Sequence, residues 1–188
     1  MRLRDIASLA ILLAVSFPAV AAPPVLRASP EFTIVDPSGH TTPLSSLKGQ
    51  VVVIEFLLYR CPNCLRVAQT INKLHREMAD RGFRPIGIVF DDGVTEPVVR
   101  DLAQLLKLNY PVGYTTSDQV DRYLGRSPVV RFQVPQVVVI DRAGVIRAQS
   151  RPSGEANLTD EAYLRNLLRE LLDEGVPPDK SETSTVPP

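Results

Sequence analysis

The 188-residue chain is poor in the residues that build metal sites, with two cysteines and two histidines. A tetrahedral structural zinc wants four ligands, and Cys61, Cys64, His40 and His75 stand at unrelated spacings, which argues against one. The chain also lacks an excess of either charge: 21 Lys and Arg balance 21 Asp and Glu. No basic footprint for nucleic acid follows from that balance. There is no apolar run long enough for a confident spanning helix. The longest early candidate, Ile6–Val15, is interrupted by Ser8 and ends before Pro18. No cysteine follows it, which argues against a lipid-modified N-terminus.

What is present at that end has the form of an export signal. Arg2 and Arg4 precede the apolar run, and Ala19-Val20-Ala21 offers a small-residue cleavage site. The reading is a signal peptide over 1–21, with an uncleaved membrane anchor as the alternative. Both cysteines lie in the exported part, and an oxidising compartment such as the periplasm permits disulfides. Eight of the 17 prolines fall in the two ends, so the ends read as non-globular. Expected boundaries are a linker over 22–30, one domain over 31–174 and a disordered tail over 175–188. A domain of that length buries a core without needing a disulfide.

Inside the domain, Glu31–Val35 alternates as a strand and Asp36–Gly39 is a turn into a hairpin arm at Thr41–Pro43. Leu44–Leu47 reads as a short helical turn. Val51–Leu58 is nearly continuous apolar sequence, the mark of a central strand covered on both faces. From Pro62 the period becomes helical, with Leu65, Val67, Ala68, Ile71, Leu74 and Met78 on one face and an end near Gly82. A second buried strand is expected at Ile86–Phe90. Thr95 is expected to cap a helix bearing Val98, Val99, Leu102, Leu105 and Leu106. A short strand at Pro111–Tyr114 and a short helix at Ser117–Leu124 follow. Gln136–Ile140 then turns through Asp141–Gly144 into Val145–Ser150 as an antiparallel hairpin. Thr159 is expected to cap a last helix bearing Ala162, Tyr163, Leu167, Leu168, Leu171 and Leu172. Strands alternating with helices and closing in a hairpin imply an α/β mixed sheet with helices on both sides.

Both thiols stand in one stretch, FLLYRCPNCLRVAQ, where the central strand gives way to a helix. That junction is the C-terminal strand edge at which open α/β sheets place their sites. A structural disulfide between positions three apart closes little chain and adds little stability. A reactive pair has a better physical basis. At a helix N-terminus the unpaired N–H groups and the dipole favour a thiolate at Cys61. Arg60 and Arg66 add positive potential, and Pro62 suits the first helical turn. In this reading Cys61 is the exposed nucleophile and Cys64, one turn deeper, the resolving thiol.

The stretch PEFTIVDPSGHTTPLSSLKGQVVVIEFLLYRCPNC resembles the opening of thioredoxin-fold proteins of the TlpA/ResA type. The segment FQVPQVVVIDRAGVIRA resembles the part of that fold that carries a cis-proline before an edge hairpin. The resemblance covers about Pro30 to Leu172. It implies a thioredoxin-like fold, a central mixed sheet flanked by helices, with an N-terminal β-hairpin extension. It also implies an exported protein thiol–disulfide oxidoreductase that needs no cofactor or metal. Protein substrates with thiols or disulfides, a membrane redox partner and a place in cytochrome c-type biogenesis follow by analogy; no nucleic acid partner and no oligomeric state do. By the same match Pro135 is the cis-proline facing the cysteines, and Val134 exposes its backbone for pairing with substrate. Arg60, Pro62 and Asn63 would line the substrate contact. Glu55, six residues before Cys61, matches a buried acid of thioredoxins, where it would accept a proton from Cys64. The other reading of Glu55 is a residue at the sheet edge or paired with an arginine.

The chain departs from that family in several places. Arg60 stands where Trp usually precedes the first Cys, and the chain has no Trp. Val67 and Gln69 stand where Glu and Pro are common. LYRCPNC also resembles Sco-type copper proteins, the alternative function on the same fold. That group has C-x-x-x-C and a later His ligand, whereas Gln133–Val139 contains no His. Peroxiredoxins, a third class, typically have Thr three residues before the peroxidatic Cys; here that residue is Leu58.

Overall fold

The computed structural model describes residues 26–127, 129, 133–153 and 157–174. The signal peptide expected over 1–21 and the tail expected over 175–188 lie outside the described residues. Among the described residues no helix is long and apolar enough to cross a membrane.

In chain order the elements are β1 (Arg27–Ala28), β2 (Thr33–Val35), β3 (Thr41–Pro43), β4 (Val51–Leu57) and α1 (Pro62–Met78). Then come β5 (Phe83–Val89), α2 (Glu96–Leu105), β6 (Val112–Tyr114), α3 (Ser117–Leu124), β7 (Gln136–Ile140), β8 (Val145–Gln149) and α4 (Glu161–Asp173). Short 3-10 turns occupy Leu44–Leu47, Ala79–Arg81 and Asn157–Thr159. The main sheet has the order β1-β8-β7-β4-β5-β6, and β2 with β3 forms a separate hairpin. β4, β5 and β6 are parallel, whereas β7, β8 and β1 each run antiparallel to the preceding neighbour. This is the thioredoxin-like arrangement with an N-terminal hairpin.

β4 is central, and each of its seven residues is buried. Alternation divides them between the two faces of the sheet. Val51, Val53 and Leu57 pack in one core with α1, α2 and α4. Val52, Ile54 and Phe56 pack in the other, against α3 and the segment around β2. Helix α1 covers the first core through Cys64, Val67, Ala68, Ile71, Leu74 and Met78. The chain reverses after it at Gly82, whose φ of 91° is open to glycine at little cost. The hairpin reaches the edge strand β6 at Gly113, where an added Cβ would lie 2.6 Å from the Val35 carbonyl oxygen. Only a residue without Cβ lets the two backbones approach so closely.

Several expectations need correction. The linker over 22–30 contains β1, which pairs with β8 and covers an otherwise open sheet edge. Arg27 anchors it by donating to Gln149 Oε1 at 2.9 Å, a contact between residues far apart in sequence. Thr95 stands at the N-cap of α2 but its side chain makes no capping bond. The N-cap of α4 is Asp160 rather than Thr159: its carboxylate accepts from the Tyr163 N–H at 2.9 Å. Leu105 and Tyr163, both placed on apolar helix faces, are exposed. Each stands near one edge of its stripe, where a one-residue rotation turns the side chain to water.

Candidate active site

β4 ends at Leu57, and the turn Leu58–Arg60 carries the chain to Cys61. That turn is held at both ends. The Cys61 N–H donates to the Leu58 carbonyl at 3.2 Å, and the Tyr59 N–H donates to the Asp91 carboxylate at 2.8 Å. Cys61 is the N-cap of α1, and its sulfur accepts from the Cys64 N–H at 3.2 Å. A capping sulfur at this place sits among the free N–H groups of the first turn. Pro62 follows at N1, where no N–H is missed.

Cys61 and Cys64 form a disulfide with a Cα–Cα separation of 5.2 Å. Cys61 is half-buried, whereas Cys64, in the first turn of α1, is fully buried. The two sulfurs therefore differ in access while sharing one bond. Arg60 is exposed, with its guanidinium carbon 5.1 Å from the centre of the Tyr59 ring. Pro62 and Asn63 are exposed on the same turn, and Asn63 Oδ1 accepts from Arg66 at 2.6 Å. Arg66 is thus engaged by its neighbour.

Glu55 is wholly buried in mid-β4, opposite Gly87 of β5 and Val137 of β7. The pleat puts its side chain on the face of Val53 and Leu57, the core that contains Cys64. Neither carboxylate oxygen has a hydrogen-bond partner among the described residues. Glu55 therefore stands away from the sheet edge and beside no arginine of the described residues. Loss of water pushes its pKa well above the ordinary carboxyl value. Tyr110, buried near it, is also pushed well up, first by burial and then by the charge of Glu55.

The Val134–Pro135 peptide is cis, the isomer that the resemblance implied. Gln136 pairs with Phe56 in the antiparallel β4–β7 ladder. Val134 and Pro135 consequently enter β7 at the end of the sheet where β4 runs out towards Cys61. Val134 is half-buried and packs against both cores, whereas Pro135 is buried. Tertiary structure thus brings the CPNC turn and the Val134–Pro135 loop to one end of one sheet, with Glu55 two residues before the end of β4.

The histidines are elsewhere. His75 lies three turns along α1, with Nδ1 2.8 Å from Asn109 Oδ1 and its ring against Phe83 and Tyr110. His40 is in the β2–β3 turn, 4.0 Å from Asp36. Among the described residues no three His, Cys, Asp or Glu side chains cluster as metal ligands.

Two residues at the site escaped the sequence reading. Asp91 stands in Asp-Asp-Gly after β5, a turn signal with no hint of its distant partner Tyr59. Gln136 heads a strand whose sequence is otherwise apolar; its polarity directly after Val-Pro is the available signal.

The AhpC/TSA family model matches residues 25–149. Among curated proteins, the chain is 27% identical over 161 residues to Protein DipZ of Mycobacterium bovis, a match covering 79% of this chain. The match covers 21% of DipZ, so this chain spans about a fifth of that relative's length. Among solved structures it is similar to a putative protein disulfide isomerase from Bacteroides thetaiotaomicron. That similarity has 28% identity and a TM-score of 0.66, covering 81% of this chain and 92% of the other. A putative thiol:disulfide interchange protein DsbE from Chlorobium tepidum shares the fold at 20% identity and a TM-score of 0.63. It covers 79% of this chain and 98% of that one.

Proposed function

The chain belongs to the AhpC/TSA family and has a thioredoxin-like fold, and from that premise we propose that it is a thiol–disulfide oxidoreductase that works outside the cytoplasm on polypeptide substrates. The observation that carries the reading is the unequal access of the two sulfurs: Cys61 half-exposed at a helix N-terminus, Cys64 buried beside it. In the reduced protein the Cys61 thiolate attacks a substrate disulfide, forming a mixed disulfide and releasing one substrate thiolate. Cys64 loses its proton, attacks Cys61 Sγ and releases the second substrate thiolate. The protein is left oxidised and the substrate reduced by two electrons; run backwards, the same steps oxidise a substrate dithiol.

Glu55 is the proton acceptor for Cys64 in this scheme. Burial makes its carboxylate more basic, which suits proton transfer from a thiol better than an ordinary carboxylate does. Val134 and Pro135 supply the backbone against which the substrate chain lies, while Arg60, Pro62 and Asn63 form the exposed rim beside Cys61. Support for export comes from Arg2, Arg4, the apolar run and Ala19-Val20-Ala21.

The test is a pair of cysteine variants. Cys61→Ser abolishes exchange with a disulfide-bonded polypeptide, and Cys64→Ser accumulates a mixed disulfide visible on a non-reducing gel. Full turnover by Cys64→Ser, or a reduced Cys61 that resists alkylation, would reject the assigned roles.

A further inference from the structure

Gln136 is fully buried at the start of an otherwise apolar strand. A buried amide without partners is costly, so its position asks for a compensating bond. Its Nε2 donates twice, to the Gln133 carbonyl at 2.5 Å and to the Arg151 carbonyl at 3.2 Å. Both neighbours are acceptors, which fixes the amide with its NH2 towards them. Its Oε1 has no partner among the described residues. The amide therefore serves its surroundings through the donor end alone.

Those two carbonyls belong to different segments. Gln133 precedes the cis Val134–Pro135 bond, and Arg151 follows β8. The segments meet again where the Gln133 N–H donates to the Pro152 carbonyl at 2.9 Å. One step further into the sheet, the Val137 N–H donates to Ser150 Oγ at 3.0 Å and the Ser150 N–H to the Val137 carbonyl at 2.9 Å. Gln133 itself is exposed, so its own packing does little to hold the loop. The side chain of Gln136 is the buried tie that spans from the loop to the end of β8.

We propose that Gln136 is a positioning residue that holds the Gln133–Pro135 loop in the place where a substrate polypeptide pairs with it, and so sets the preference for polypeptide over small disulfides. The proposal rests on the polypeptide reading of the function. A small thiol or disulfide reaches Cys61 without lying along the loop. A polypeptide uses the loop backbone as a template, and a template that wanders must be ordered again at each binding event.

The test compares Gln136→Met, which keeps the length without the donor, and Gln136→Glu, which keeps the shape with oxygens in place of NH2. For each, amide hydrogen exchange at Gln133, the rate of reduction by dithiothreitol and kcat/KM with a disulfide-bonded polypeptide are measured. The expected result in either folded variant is faster exchange at Gln133 and about a tenfold fall in polypeptide kcat/KM, carried by KM. Reduction by dithiothreitol stays within about twofold. Unchanged amide exchange at Gln133, an unchanged polypeptide rate, or a parallel fall of both rates overturns the role of Gln136. Wild-type protein that cycles with dithiothreitol but with no polypeptide disulfide overturns the proposed function instead. The Gln133 amide then still reports whether Gln136 holds the loop.

Discussion

The two faces of β4 are built to different ends, although seven consecutive residues make both. One face sends Val52, Ile54 and Phe56 into an apolar core. There Phe56, Phe32 and Tyr123 meet edge to face or tilted, with ring centroids 5.3 to 5.9 Å apart. The three rings come from β4, the segment before β2, and α3, so the cluster joins parts distant in sequence. The other face carries Val51, Val53 and Leu57 but interrupts them with Glu55, buried and unpartnered. Opposite Glu55, β5 has Gly87, where an added Cβ would lie 3.6 Å from the Tyr110 ring. One face is wholly apolar; the other keeps an ionisable group in the core that holds Cys64. A strand buried on both sides can divide its tasks in this way because its side chains alternate.

The largest test of this contrast is Phe56→Ala. Removing a wholly buried ring should cost about 3–5 kcal/mol of stability. It should leave the alkylation rate of reduced Cys61 within about twofold wherever the protein remains folded. A chemical step that falls with stability would show that the two faces are coupled.

Glu55→Gln probes the other face, with the opposite sign for stability. The folded state holds the Glu55 proton to higher pH than the unfolded chain does. Below the unfolded pKa of about 4.3 both states are protonated and nothing is lost. As pH climbs past that value the unfolded state ionises first, and stability falls until the folded carboxyl ionises as well. The Gln variant removes this loss, so it should be more stable than wild type near neutral pH, with a flatter profile above pH 4. In single-turnover kinetics it should slow resolution by Cys64 by about tenfold or more. A variant that is less stable at neutral pH and kinetically unchanged would make Glu55 a structural residue.

The smallest effect is expected at the edge of the aromatic cluster. The Tyr123 hydroxyl lies 2.9 Å from Ser29 Oγ, and burial pushes its pKa up to about 12. Tyr123→Phe should cost about 1 kcal/mol at neutral pH through the lost hydrogen bond. A raised phenol pKa also means stability is lost as pH rises from about 10 towards 12, because the unfolded tyrosine ionises first. The variant should lack that part of the alkaline loss in urea titrations. An alkaline profile unchanged by the substitution would show that Tyr123 is not the group responsible.

Much of this molecule follows from local signals. The apolar run of β4, the helical period from Pro62 and the thiols three apart each lie within a few residues of one another. Strand, helix and N-terminal cysteine are therefore readable without any partner. The same holds for the hairpin through Asp141–Gly144, whose turn chemistry is local: Asp141 Oδ1 accepts from the N–H groups of Ala143 and Val145, both at 2.9 Å. Caps were less legible, because Thr159 and Asp160 are both good caps and only the path of the chain into α4 chose between them.

What the tertiary structure alone decided is the set of partners. Arg27 with Gln149, Tyr59 with Asp91 and Gln136 with Arg151 join residues 122, 32 and 15 positions apart. No periodicity encodes such pairs; they exist because sheet order and register bring particular backbone groups together. Glu55 shows both halves of the matter. Its sequence alone placed a carboxylate inside an apolar strand upstream of the cysteines. Whether an arginine would meet it depended on tertiary packing: the flanking strands carry Gly87 and Val137 at its level, and neither carboxylate oxygen has a partner among the described residues.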